Sequence, residues 1–237
     1  GKATRERVKK VAAEIGYVPN RAGVRLRTGR SYVVSLVLST ESDVMNVTAR
    51  LINSVAAGRR VTRYHLTITP YFPDEDPLRP VQTIVETRAA DAIILNQIQP
   101  EDPRVRYLMD RSFPFATHGR SIWAAEHDYY DFDNQTYAQI AVERMVERGR
   151  TSLMLLAPPK TQFYSNEMMA GFRSTAASHG IKHRILDSVT SDAAQTKIEE
   201  VVTAELLRDP TIDGIVCASS SSCMTTVTAI EASGRTI

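Results

Sequence analysis

The sequence predicts an α/β protein with two lobes built on parallel sheets, preceded by a short basic helical arm. Three observations carry this. From residue 31 onward, apolar β-rich runs alternate with segments of helical periodicity, the pattern of parallel strands covered by helices on both faces. The alternation restarts after Gly149, which divides the chain into an arm (1–30), a first lobe (31–149) and a second lobe (150–237). Finally, the net charge of +2 is unevenly spread. Residues 1–30 hold nine bases and two acids, and the remaining 207 residues hold twenty bases and twenty-five acids. The arm therefore carries +7 and the body −5.

The elements follow in order. In the arm, Val8, Val11, Ala12 and Ile15 recur at helical spacing with bases between them; Thr4 is the expected N-cap and Gly16 the terminating glycine. Pro19 breaks that helix and Asn20 can cap a second, Arg21–Arg27, too short to be stable alone. Such a segment suits folding coupled to binding. In the body, Tyr32–Leu38 reads as a strand, and Val44, Val47, Leu51, Ile52 and Val55 as a helix face. Tyr64–Thr69 is the next strand, and Asp76-Pro77 opens a helix carrying Leu78, Val81, Ile84 and Val85. Then come a strand at 92–95, a helix at 102–111, a short strand at 115–117, a strand edge at 129–133 and a helix at 134–148. The second cycle has strands at 153–157, 185–187 and 214–218, with helices at 164–179, 192–208 and 221–233. Asp91-Ala92-Ile93-Ile94-Leu95 is echoed by Asp213-Gly214-Ile215-Val216-Cys217. In open α/β sheets ligands sit at the carboxyl ends of strands, so two facing lobes form a cleft.

Composition narrows the class. With 43% hydrophobic and 24% charged residues, the chain is an ordinary globular one able to bury a core. No run is long and apolar enough to span a membrane, and no apolar stretch follows the N-terminal charges as in a secretory signal. The two cysteines, Cys217 and Cys223, have no metal-site spacing, and Cys217 sits in an apolar run as a buried thiol. A cytoplasmic location and no membrane partner are expected. No nucleophile elbow, phosphate loop, dinucleotide fingerprint or zinc-protease motif occurs, so neither an enzyme nor a cofactor is expected. Ser219–Ser222 reads as a capping loop. Gly180 separates His179 from His183, and Asp74–Asp76 reads as a solvated loop and cap.

Several segments resemble the lactose-repressor (LacI/GalR) family of transcription regulators. In the arm these are Ala3-Thr4-Arg5-Glu6-Arg7-Val8, Ile15 to Ala22, and Leu26 to Arg30. In the body, Asp131 to Asn134, Gly149-Arg150, Ala170 to Arg173 and Asp213 to Ala218 resemble family landmarks in the right order. The resemblance implies a type I periplasmic-binding-protein-like fold, two-lobed with parallel sheets, preceded by a helical remnant of a helix-turn-helix headpiece. It implies that the first headpiece helices precede residue 1 and that further strands follow Ile237. It also implies a homodimer, operator DNA as partner, and a small-molecule effector, a sugar, between the lobes. Repression relieved by ligand and repression requiring ligand both fit.

The resemblance assigns site residues. In the arm, Asn20, Arg21, Ala22, Gly23, Arg25 and Leu26 are expected at DNA, with Leu26 as a minor-groove wedge and Ala22 and Gly23 allowing close backbone approach. For the effector, Ser39 and Asp43 follow the first strand, Asn96 the third, and Asp133 matches a pocket aspartate that can also cap the next helix. His118 follows a strand and can line the cleft or pack, as can Tyr71 and Phe72. Met168 stands where the family often has an arginine, and Ser219-Ser220 where it has Asn-Asp. Tyr164 and Asn166 are expected to replace part of the arginine's role. A solute-binding protein of the same fold would explain residues 31–237 equally well, but not the basic arm or Leu26.

Overall fold

The structure, a computed structural model, describes residues 1–18, 20–40, 45–72 and 74–237, the side chains of residues 21 and 45–47 excepted. Two helices form the arm: α1 (Lys2–Glu14) and α2 (Arg21–Thr28). Thr4 lies inside α1 rather than at its cap, because the helix starts two residues earlier with no side-chain cap. Gly16 ends it as expected. At φ 64° it turns the chain so that Gly16 N–H donates to Ala13 O and Tyr17 N–H to Ala12 O. Asn20 caps α2 by accepting from Ala22 N–H at 2.8 Å, and Gly29 at φ 70° closes it. No residue of α1 is buried, so capping rather than packing delimits these helices.

The body contains β1 (Val33–Ser39), α3 (Met45–Gly58), β2 (His65–Tyr71), α4 (Leu78–Glu86), β3 (Ala92–Asn96), α5 (Pro103–Asp110), β4 (Phe115–His118), β5 (Asp128–Tyr130) and α6 (Asn134–Glu147). A second series follows: β6 (Ser152–Leu156), α7 (Phe163–Ser178), β7 (Lys182–Ile185), α8 (Gln195–Arg208), β8 (Gly214–Cys217) and α9 (Ser220–Ala232). The first sheet runs β2-β1-β3-β4-β5 and the second β7-β6-β8, with every pairing parallel. Strand β7 lies earlier than the apolar pattern at 185–187 suggests. It is an edge strand whose Lys182, His183 and Arg184 hide its periodicity. Helix α8 starts at Gln195 rather than 192, because Ser191 N–H is drawn to Ala157 O and Ala193 N–H closes a turn on Thr190 O.

Strand alternation sorts the core. In β6, Leu153 and Leu155 face a cluster with Ala138, Val142, Met168 and Phe172, while Met154 and Leu156 face Ile198, Val202 and Leu206 on the other side. The first lobe gathers Val37, Ile93, Leu95, Val105 and Leu108. Helix α6 precedes the expected division at 149, yet through Ala138 and Val142 it packs on the second sheet, and Tyr137 Oη donates to Cys217 O at 3.0 Å. Glycine permits its close approach to α7. A Cβ on Gly171 would lie 2.3 Å from Gln135 O.

The echo between Asp91 and Asp213 is a shared device. Asp91, just before β3, accepts from Ser31 N–H and Oγ–H and from Tyr32 N–H, at 2.7–2.9 Å, fixing the foot of β1. Asp213, just before β8, accepts from Thr151 N–H and Oγ–H and from Ser152 N–H, at 2.8–3.0 Å, fixing the foot of β6. Burial pushes both carboxyl groups up, but the donated hydrogen bonds outweigh it and hold them below the usual carboxylate range. Among the described residues no helix is long and apolar enough to cross a membrane, and no cluster of ligating side chains could hold a metal.

Candidate functional site

The carboxyl ends of β3, β4 and β8 converge on a cavity of about 260 Å³ between the sheets. The first lobe supplies Asn96, Gln97, Ile98, His118, Gly119, Arg120, Asp131 and Phe132. Asn134, the first residue of α6, joins them, with Phe163, Tyr164, Asp192, Ala218 and Ser219 opposite.

Each group is held by its element. Asn96 and His118 end adjacent strands in register, and His118 Nδ1 lies 3.0 Å from Asn96 Oδ1. Tyr130 stacks on the His118 ring at 6.1 Å and Phe132 meets it edge-on at 5.9 Å. Burial pushes the His118 pKa down against the pull of Asp131, so the imidazole is neutral near pH 7. Tyr164 keeps its proton, since burial and Asp192 push its phenol well above the ordinary range. Ser219 caps α9 in a reciprocal pair with Ser222.

Among the described residues Arg120 is the one cationic side chain on the cavity wall, and it is neutralised there. Its Nε donates to Asp131 at 3.0 Å and its Nη2 to Glu167 of α7 at 2.8 Å. The second bond crosses from one lobe to the other, as does Phe163 N–H to Ile98 O at 2.9 Å. Burial lowers the Arg120 pKa, but its two carboxylate partners more than restore it. Burial holds Glu167 above its usual range in spite of Arg120, with Asp131 and Asp133 adding to the rise. Two carboxylates share this guanidinium and Asp192 stands elsewhere on the wall, so among the described residues the site bears a negative excess.

The effector residues expected from sequence divide. Asn96, His118, Tyr164 and Ser219 line the cavity. Ser39 is buried at the end of β1 and is not part of its wall. Asp43 lies outside the described residues. Asp133 is not on the wall and caps α6, accepting from Thr136 N–H at 2.9 Å and Thr136 Oγ–H at 2.8 Å. Asn166 is exposed and off the wall. Met168 is off the wall as well. It is 2% exposed and packs with Phe172 in the core, because one turn into α7 the helix face it shares turns to the sheet. Tyr71 is buried and Phe72 exposed, and neither lines the cavity. The sequence reading passed over Gln97, Arg120, Asp131, Phe132, Phe163 and Asp192. The signal available for Arg120 was its place two residues past a strand end.

In the arm, Leu26 is 91% exposed and so does not pack on the body. Ala22 and Gly23 are exposed, and a Cβ on Gly23 would meet nothing. Arg25 Nη2 donates to Thr87 O at 2.6 Å, tying α2 to the end of α4.

The family described as periplasmic binding proteins and sugar binding domain of the LacI family matches residues 62–237. The chain belongs to this family. Among LacI-family relatives, the HTH-type transcriptional regulator RafR of Escherichia coli is 28% identical over 190 residues, covering 79% of this chain and 56% of its own. AglR of Rhizobium meliloti is 26% identical over 99% of this chain and 66% of its own, and CelR of Thermobifida fusca 26% identical over 99% and 70%. The chain thus spans a little over half to about two thirds of the length of the first two. Solved structures share the fold. A CelR–cellobiose complex superposes with TM-score 0.75 at 21% identity, covering 100% of this chain and 71% of the other. A probable maltose operon repressor, malR, of a staphylococcus gives 0.74 at 21%, covering 89% and 76%. The LacI-type two-lobed α/β fold expected from the sequence is the fold observed.

Proposed function

We propose that the chain is the sensing body, hinge and last headpiece helix of a cytoplasmic, homodimeric transcriptional repressor whose operator affinity is set by a neutral sugar bound between the lobes. The cavity carries the reading. It joins amide, hydroxyl and imidazole groups, which pair with sugar hydroxyls, to the Phe132, Phe163 and Tyr164 rings, which suit a sugar's apolar face. Its guanidinium is already shared by two carboxylates, so a phosphorylated or acidic sugar would meet Asp131 and Asp192 with no spare cation among the described wall residues. The relatives' names point the same way: CelR is solved with cellobiose, and MalI and the staphylococcal malR are named for maltose. No catalytic step is assigned to the site.

The exposed Leu26 and the basic arm support DNA as the second partner. A transport role would leave both without a task. Two α2 helices side by side in a dimer would enter one minor groove. A ligand that alters the lobe angle would change their spacing, by no more than its differential affinity for the two states. The test is a thermal-shift panel on the full-length protein with cellobiose, maltose, other neutral oligosaccharides, sugar phosphates and purines. A neutral sugar should raise the Tm. A response to a purine or a sugar phosphate alone overturns the sugar assignment.

A further inference from the structure

We propose that Arg104, which does not touch the cavity, is a positioning residue that sets the shape of its first-lobe wall. The inference rests on the cavity being the effector site.

Arg104 is 2% exposed and its partner Asp102 0%. Asp102 caps α5 by accepting from Arg104 N–H at 2.9 Å. It also accepts from Arg104 Nε at 3.0 Å and Nη2 at 2.7 Å, and from Gln99 N–H at 3.1 Å. The guanidinium reaches further. Its Nη2 donates to Asn96 O at 3.1 Å and Gln97 O at 2.9 Å, and its Nη1 lies 3.5 Å from Tyr71 Oη. One buried fork therefore holds two consecutive carbonyls and, through Asp102, an amide two residues on.

The segment so held is residues 96–99, and three of its members, Asn96, Gln97 and Ile98, line the cavity. Gln97 sits at φ 54°, a conformation uncommon for residues other than glycine. The Arg104 fork holds it: both carbonyls accept from a guanidinium that is buried and off the cavity wall. The consequences spread along the wall. Asn96 Oδ1 stays 3.0 Å from His118 Nδ1, and Ile98 O stays in reach of Phe163 N–H on the other lobe. Stability alone does not call for this arrangement, since well-packed apolar residues can replace a buried ion pair at no loss. A forked cation is needed where two main-chain carbonyls and a carboxylate must be held at once, which a lysine ammonium cannot reproduce.

The test uses the full-length protein and Arg104→Lys, which keeps the charge and loses the fork. Amide exchange of residues 96–99 should speed up by about tenfold or more, the factor matching about 1.4 kcal/mol. Exchange in β6 and β8 should stay as in the wild type, and the His118 imidazole nitrogen resonances should shift as Asn96 is released. Titration with cellobiose and maltose adds a second reading: whichever binds the wild type should bind the variant about tenfold more weakly at most modest change in Tm. Unchanged exchange at 96–99 together with unchanged His118 resonances would overturn the proposal, whether or not a sugar binds. Should the variant not fold, the wild type decides. Its Gln99 amide should exchange as slowly as those of β3, and exchange at the rate of an unsupported loop would overturn the assignment.

Discussion

The two lobes begin alike and end differently. Each starts from a central strand whose foot is clamped by an aspartate from the strand beside it, Asp91 under β1 and Asp213 under β6. Each then orders its first three strands the same way, β2-β1-β3 and β7-β6-β8. Beyond that, the first sheet adds β4 and β5, whose ends carry His118, Arg120, Asp131 and Phe132 to the cavity. The second lobe faces them with the starts of α7 and α9 and the turn at Asp192. The feet of the repeated strands are scaffold, while the cavity wall joins the carboxyl ends of the repeated β3 and β8 to what the added β4 and β5 carry.

The largest expected effect lies in the scaffold. Phe172→Ala removes a ring with no exposure from the core of the second lobe and should cost about 3–5 kcal/mol in chemical denaturation. Amide exchange should rise more in β6, β7 and β8 than in β1–β5; a uniform rise would mean that the lobes unfold as one unit. Next come the clamps. Asp91→Ala and Asp213→Ala each strand two strand-foot amides and should each cost about 1–3 kcal/mol. Unequal costs would break the equivalence of the two devices.

The clamps also predict a pH dependence. Both folded-state pKa values are depressed, so their stabilisation is full above the unfolded value of about 3.9 and is lost as pH falls through the folded values. Acid unfolding of the wild type below about pH 4 should therefore be blunted in the double Asp→Asn variant, measured by circular dichroism.

Smaller effects belong to the parts that are not repeated. Phe132 is 59% exposed, so Phe132→Ala should leave stability within about 0.5 kcal/mol while weakening sugar binding by about tenfold, read by calorimetry. The smallest effect on stability is that of Leu26→Ala, within about 0.5 kcal/mol, since the side chain touches little. Its consequence should appear in operator affinity, and unchanged affinity would remove Leu26 from the DNA contact.

The order of strands and helices was legible because periodicity and turn residues are local. Gly16 and Asn20 end and start elements by their own chemistry. The allegiance of α6 was not, since an apolar helix face says that a sheet is covered without saying which one. The site was half legible. Strand ends pointed to Asn96, His118 and Ser219, but Met168 was placed by its offset from Gly171, and offset along a helix does not tell cleft from core. Arg120 was missed because its partners, Asp131 and Glu167, lie 11 and 47 residues away. The buried fork of Arg104 escaped for the related reason that arginine in a helix pattern reads as surface.

Coupling between the cavity and the arm is what the proposed repressor requires. The direct measurement is operator binding by the full-length protein, by fluorescence anisotropy, with and without the neutral sugar that raises its Tm, paired with calorimetry of that sugar with and without operator. The sugar should change operator affinity, and operator should change sugar affinity by the same factor. A sugar that binds in the cleft yet leaves operator affinity unchanged would contradict the account.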